Sequence, residues 1–424
     1  MKQKSKWRRL DNSAKIFPMS TGEKYSTVFR LSALLSDDIN PKLLKQALKK
    51  SLNKYDIFKV KMKAGFFWYY LEDNDKEPKV TCERDYPCKY INPKSNNDYL
   101  FKVTYFKNKV NIDIFHSLTD GNGGIVFFRE IIYTYLELAY PQELNRNNRV
   151  VKKIAFDTED SYIKNYNKKA ISMSSSLRAY ELKGRKIKLG GISAIHEIIC
   201  LENLKAESKK YGVTVTQYLT AVLMYSIYLS NYKKSSKPIK VCIPVNLKKY
   251  FTSETMSNFF SYITIVANSE SLSDFDELIK LVKQQFEDKL KEDEILKTMS
   301  GNVRLGTNIF IKTIPLLLKN IIVRISYMEI RKHSTITFSN IGRVGLLGEY
   351  QKYINYFLML ISPDSVEKIK CSSCTFGDKM VFTFTSILSN NKIEKTFYEF
   401  LLSKGINVEI ESNGVLDDIS TEDK

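Results

Sequence analysis

Apolar and polar positions in the first third of the chain alternate in short runs that predict strands, tight turns and two helices. STVFRLSALLS reads as a strand. INPKLLKQALKKSLNKYDIF reads as a helix, with Asn40 placed to accept its first free amides and Pro41 in the first turn, where a missing N–H costs nothing. FKVKMKAGFFWYYLED predicts a hairpin turning at Ala64-Gly65, and YLFKVTYFKNKVNIDIF a second, turning near Lys107-Asn108. The run then reaches FHSLTDGNGG and launches an aromatic helix, expected from about Ile125 to Leu138.

From Val150 to about Gly190 the sequence turns polar and lysine-rich, without sustained period, and reads as a crossover between residues 1–170 and 171–424. The second part opens with an expected helix over AIHEIICLENLKAESKKYG, which includes His196, and a strongly apolar helix over TVTQYLTAVLMYSIYLSNY. A strand, IKVCIPVNLKKYF, is followed by a charged helix, SDFDELIKLVKQQFEDKLKEDEI. The window Asn308 to Met328 is the most apolar of all. Lys312, Pro315, Lys319 and Arg324 interrupt it too often for a lipid-spanning segment, so it predicts an amphipathic, largely buried helix. The strand STITFSN, the loop IGRVG, a hairpin around Gly377-Asp378 and a last helix, KIEKTFYEFLLSKG, complete the pattern. Hairpins mixed with helices in both parts predict an α+β fold rather than a doubly wound sheet.

Composition narrows the function. A chain of 424 residues with 43% hydrophobic residues exceeds what one core usually organises. The formal charge of +19 points to an acidic partner: a nucleic acid, an anionic membrane surface, a phosphate-bearing cofactor or an acidic carrier protein. Lysines are dispersed and no nucleic-acid motif is present, which disfavours nucleic acid. The basic start lacks the apolar stretch of an export signal, and a cytoplasmic location is expected. Cys371 and Cys374 form a CxxC, but on a strand they face opposite ways, so buried free thiols are expected and no metal site. No GxGxxG, phosphate-binding loop or GxSxG elbow occurs.

With three histidines and 17 glycines, composition predicts only about 0.007 HxxxDG matches, yet His116, Asp120 and Gly121 form one between a strand and a helix. The plain alternative is that His116 ends an edge strand and Asp120 caps the helix. A neutral imidazole can take the proton of an alcohol or amine near physiological pH, which typically accelerates attack by about 10²–10⁴. His333 and His196 lack such a setting and read as surface or structural residues.

FHSLTDGNGG resembles the signature of the HxxxD acyltransferases of the chloramphenicol-acetyltransferase-like superfamily, often written HHxxxDG, with Phe115 at its first histidine. WRRLDNSAKIFP, AGFFWYYLE, YGVTVTQYLTAVLMYSIYL, IPVNLKKYF and FSNIGRVG look like the bacterial alcohol-acetyltransferase-like branch, in that order. The resemblance implies two similar α/β domains with a channel between them, and His116 midway along it as general base. It implies that Asp120 turns away from the channel to pin the loop by an ion pair with Lys248, Lys249 being the competing candidate. It also implies that Ser339 or Asn340 supplies an oxyanion donor, with Gly342 shaping the turn. The implied reaction moves an acyl group from a CoA or carrier-bound pantetheine thioester to an alcohol or amine, with no covalent intermediate and no resident cofactor. An acidic acyl carrier protein is a candidate partner. The competing expectation is a non-catalytic acyl-chain or carrier-binding module on the same fold, which would have no use for His116.

Overall fold

The computed structural model describes residues 7–23, 26–144, 160–170, 177–187, 191–232 and 235–415. Residues 150–159, 171–176 and 188–190 of the expected Val150–Gly190 crossover therefore lie outside the described residues. Among the described residues, helices and strands are arranged around three sheets. The small one joins Trp7–Arg9, Tyr69–Asp73 and Val60–Ala64. The five-stranded sheet runs in the order Ile354–Ile361, Val28–Leu35, Lys109–Phe115, Phe101–Phe106, Val80–Cys82. The seven-stranded sheet runs Phe260–Ala267, Ile239–Asn246, Ile336–Arg343, Ile369–Phe376, Lys379–Ser386, Ser193–Cys200, Val408–Ser412.

The predicted Pro41–Leu52 helix forms as expected, and the Asn40 side chain accepts from the amides of Lys42 and Leu43. Both early hairpins form, and Gly65 N–H closes the first by donating to Trp68 O at 2.9 Å. Inside the five-stranded sheet, Arg30 sits directly opposite Asp113 and grips it with two bonds of 2.8 and 2.7 Å, while also pairing with Glu83. Removing Arg30 would leave the buried Asp113 carboxylate without its cation, which costs several kcal/mol, on the order of 3–5.

Cys371 and Cys374 behave as strand alternation requires. Cys371 joins the core of the seven-stranded sheet and Cys374 that of the five-stranded sheet, and burial pushes both thiols upward, Cys374 to about 12. These two cores therefore lie on opposite faces of the same strand.

Several expectations are corrected. His196 lies on the Ser193–Cys200 strand, not in a helix; the helix begins only at Leu201. FSYITIVA and INYFLMLI, not assigned from the sequence, are strands Phe260–Ala267 and Ile354–Ile361. The second pairs antiparallel with Val28–Leu35, so a segment from the second part of the chain completes the first part's sheet. The charged helix is two helices, Phe275–Lys289 and Glu292–Thr307. The apolar window forms helices Ile309–Thr313 and Leu316–Arg331, and the longer one is not largely buried.

Candidate active site

His116 stands one residue past the Lys109–Phe115 strand and keeps its backbone register by donating N–H to Thr27 O at 3.0 Å. A turn follows, closed by Leu118 N–H on Phe115 O. The helix then starts at Gly121, four residues before the expected point, because Asp120 caps it: its Oδ1 accepts from the amides of Asn122 and Gly123, each at 3.0 Å. The cap offsets the low helix propensity of Gly121, Asn122, Gly123 and Gly124. Gly123 is obligatory, since a Cβ there would lie 2.0 Å from Thr119 Oγ1 and 2.5 Å from Met256 O.

The second Asp120 oxygen reaches across to the other part of the chain and accepts from Phe259 N–H at 3.0 Å. Thr119 Oγ1 donates to Met256 O beside it. The expected ion pair between Asp120 and Lys248 is not formed. Lys248 Nζ donates instead to Thr255 O, one residue before Met256, so its grip on the turn passes through the Thr255–Phe259 segment. Among the described residues no ion pair reaches Lys249 either. The physical reason is that three backbone amides already fill the carboxylate's best acceptor positions.

The same segment supplies the imidazole's partner. His116 Nδ1 lies 3.0 Å from Asn258 Oδ1, and Asn258 Nδ2 donates to Asp11 Oδ2 at 3.0 Å. Asp11 is fixed by Asn258 N–H, Ala14 N–H and the Ser13 hydroxyl. Since the ionised Asp11 carboxylate can only accept, the Asn258 amide turns its nitrogen to Asp11 and its oxygen to His116. Nδ1 therefore carries the proton, and Nε2 is the basic nitrogen. Neither Asn258 nor Asp11 was singled out from the sequence. Asp11 does lie within the WRRLDNSAKIFP stretch, whereas Asn258 stands 142 residues from His116 and carries no local signal.

Aromatic rings enclose the imidazole. Phe17 stacks on it at 4.6 Å between centroids, Phe29 meets it edge-on at 5.3 Å, and Phe260 lies at 5.4 Å. Burial holds the His116 pKa below the ordinary histidine value, with the Asp120 charge and the Asn258 hydrogen bond opposing. The imidazole is thus neutral near pH 7. Burial likewise raises Asp11 to about 6, against its hydrogen bonds from Ala14 and Asn258.

FSNIGRVG continues the Ile336–Arg343 strand through a register shift between Asn340 and Arg343, rather than ending it as a loop. Gly342 has φ +77°, a conformation that favours glycine, and its N–H donates to Asn340 Oδ1 at 2.8 Å. Asn340 Nδ2 donates to Thr216 Oγ1 at 3.0 Å. Ser339 is buried on the same strand. A Cβ on Gly121 would lie 3.1 Å from Ile341 Cγ2, so the two glycine-bearing motifs touch. Lys205, Lys209, Lys283 and Glu287 line a basic depression together with Thr214, Val215 and Gln217, at the start of the helix that carries Thr216.

Residues 148–354 match the sequence pattern of the alcohol acetyltransferase family. No curated protein matches the chain. Solved structures share the fold along nearly its whole length. Polyketide synthase associated protein 5 from Mycobacterium tuberculosis is 12% identical, with a TM-score of 0.60 over 93% of this chain and 97% of that one. Fusarium graminearum TRI101, crystallised with coenzyme A and deoxynivalenol, is 11% identical, with a TM-score of 0.64 over 95% and 99%. The first condensation domain of the calcium-dependent antibiotic synthetase, in complex with a substrate analogue, is 10% identical, with a TM-score of 0.65 over 94% and 96%. The fold is therefore the one that chloramphenicol-acetyltransferase-like acyltransferases and condensation domains share.

Proposed function

We propose that this chain, an acyltransferase by its alcohol-acetyltransferase match, moves an acyl group from a CoA-type thioester to an alcohol or amine, with His116 as general base. The observation that carries this reading is the Asp11–Asn258–His116 chain of hydrogen bonds, which leaves Nε2 as the unprotonated nitrogen of a histidine kept neutral by burial. Nε2 takes the acceptor's proton as its oxygen or nitrogen bonds to the thioester carbon. The tetrahedral oxyanion then collapses, the C–S bond breaks, and the imidazolium returns the proton to the departing thiolate. A thioester is activated enough that no enzyme-bound acyl group is needed.

One Asn340 amide hydrogen is held by Thr216, and the second is our proposed oxyanion donor, with Ser339 as a substrate contact beside it. Such a donor is typically worth about 10²–10³ in rate. Gly121 lets the two motifs approach, and Gly342 takes the left-handed turn that bonds back to Asn340. Asp120 and Lys248 are positioning residues that hold the turn and the Thr255–Phe259 segment. Lys205, Lys209 and Lys283 line a depression with Thr214, Val215 and Gln217 at the start of the helix that carries Thr216, a setting that suits the phosphates of coenzyme A or of a carrier-bound pantetheine arm. Residues 1–170 and 171–424 are proposed as the two halves of the site, the first giving His116 and the second Asn258 and Asn340.

The test is release of free thiol from an acyl-CoA panel in the presence of alcohols and amines. We expect His116→Ala to lower turnover by about 10²-fold or more. Equal rates for the variant and wild type would remove the general base.

A further inference from the structure

The Leu316–Arg331 helix turns much of its apolar surface outward. Its buried positions are Leu316 and Lys319, with Asn320, Val323 and Tyr327 half-buried on the same side. Lys319 is 1% exposed; its Nζ donates to Phe67 O at 2.9 Å and lies 3.5 Å from the centre of the Trp68 ring. Asn320 Nδ2 donates to Tyr69 OH at 3.1 Å. The outward positions are aliphatic. Leu317, Ile321 and Ile325 follow one another at i, i+4 spacing and are 80%, 60% and 61% exposed, and Leu318 and Ile322 widen the stripe.

The surface does not end at the helix. Leu316 N–H donates to Phe66 O at 2.9 Å, which joins the helix to the tip of the Val60–Asp73 hairpin. Phe66 is 74% exposed and meets Phe67 edge-on at 4.7 Å. At the far end, Arg331 fixes the helix through Glu367 at 2.6 Å and through Asp364. The stripe is therefore held outward by polar anchors along its length. A contiguous apolar surface of this kind marks an interaction site rather than scattered exposure.

Charge chooses the occupant. From Gly301 to Arg331 the exposed charges are Arg304, Lys312 and Arg324 against one acidic residue, Glu329, which is paired with Lys332 and Arg178, and the hairpin tip from Lys61 to Trp68 holds Lys61 and Lys63 and no acidic residue. A second copy of the chain would bring like charges together around the apolar centre, whereas an anionic lipid surface complements both features. Sixteen residues span about 24 Å, and no helix among the described residues is long and apolar enough to cross a membrane, so this one would lie in the interface plane.

We propose that the outward face of Leu316–Arg331, together with Phe66 and Phe67, docks the protein on an anionic bilayer. The proposal stands independently of acyl transfer, because binding alone tests it. The full chain is sedimented with vesicles of phosphatidylcholine alone and of phosphatidylcholine with about a third phosphatidylserine. Binding to the anionic vesicles is expected to be about tenfold tighter or more, and to weaken with salt. The double variant Ile321→Glu/Ile325→Glu alters only exposed positions and is expected to keep the wild-type melting temperature while losing about tenfold or more of the binding. Absence of binding to either vesicle, or equal binding by the variant, overturns the proposal. So does a wild-type dimer in vesicle-free buffer that the variant abolishes, which would make the face a contact between copies.

Discussion

Asn258 presents its amide oxygen 3.0 Å from Nδ1 of His116, and the Asp11 carboxylate holds that amide in place from the other side. The two residues belong to different sheets' ends, so the site exists only when both parts of the chain are docked.

Asn258→Ala is expected to lower kcat about 10–10²-fold with a smaller change in KM, the range that partners orienting metal-bound imidazoles show. The Asn258 oxygen favours the protonated ring, so its loss moves the acid limb of the pH–rate profile further down. A role confined to folding would lower the amount of active protein and leave that limb in place.

With His116 as the proposed base, the rate itself should rise from acid to a plateau, because only the neutral ring accepts a proton and burial keeps its pKa below the ordinary value of about 6.5. Asp11 ionises at about 6, and below that it no longer presents a purely accepting carboxylate to Asn258. Asp11→Asn is expected to remove a component near pH 6 from the profile. An unaltered profile would detach Asp11 from the imidazole.

Asp120→Ala removes an acceptor of three backbone amides, two at the helix start and one from Phe259. Lost caps cost about 0.5–2 kcal/mol and an unsatisfied buried donor about 1–3 more, so a clear fall in melting temperature is expected alongside lost turnover. Abolished turnover at an unchanged melting temperature would assign Asp120 a direct chemical role.

Buried His196 accounts for a separate acid sensitivity. Burial, helped by the Lys109 charge, lowers it to about 3, with Thr383 Oγ1 at 3.0 Å from Nδ1. The unfolded chain binds the proton at about 6.5, so the stability this group contributes is complete above that pH. It is lost at about 1.4 kcal/mol per pH unit as pH falls from there toward 3. Thermal unfolding of wild type and His196→Gln is expected to diverge progressively below pH 6.5. Parallel curves would contradict the assignment.

Donor KM is expected to rise with ionic strength while kcat at saturation holds, and Lys205→Glu/Lys209→Glu should raise KM already at low salt. A KM that is flat with salt and indifferent to these substitutions would move the phosphates elsewhere.

Local chemistry in the sequence carried the Asn40 cap, both early hairpins and the opposed thiols of Cys371 and Cys374, since each depends on neighbours a few residues away. His116 was visible for the same reason. Asn258 was not, because a hydrogen bond over 142 residues leaves no periodic trace. INYFLMLI lacks alternation because it is buried on both sides, and Ser193–Cys200 was lost by merging it with the helix that follows without a break. The Leu316–Arg331 stripe was found and its direction was not. Periodicity locates an apolar face, but Lys319 and Asn320 decide which way it turns.

The Ile354–Ile361 strand also sets a timetable. Asn355 Nδ2 bonds to Leu35 O across 320 residues, and a ribosome adding about 5–20 residues per second covers that interval in roughly 16–64 s. Throughout that time the Val28–Leu35 strand waits with one side of its ladder open and its apolar neighbours in place. The nascent chain thus carries a long-lived open edge: four strands of this sheet are made by Phe115, and the fifth arrives only with Ile354–Ile361.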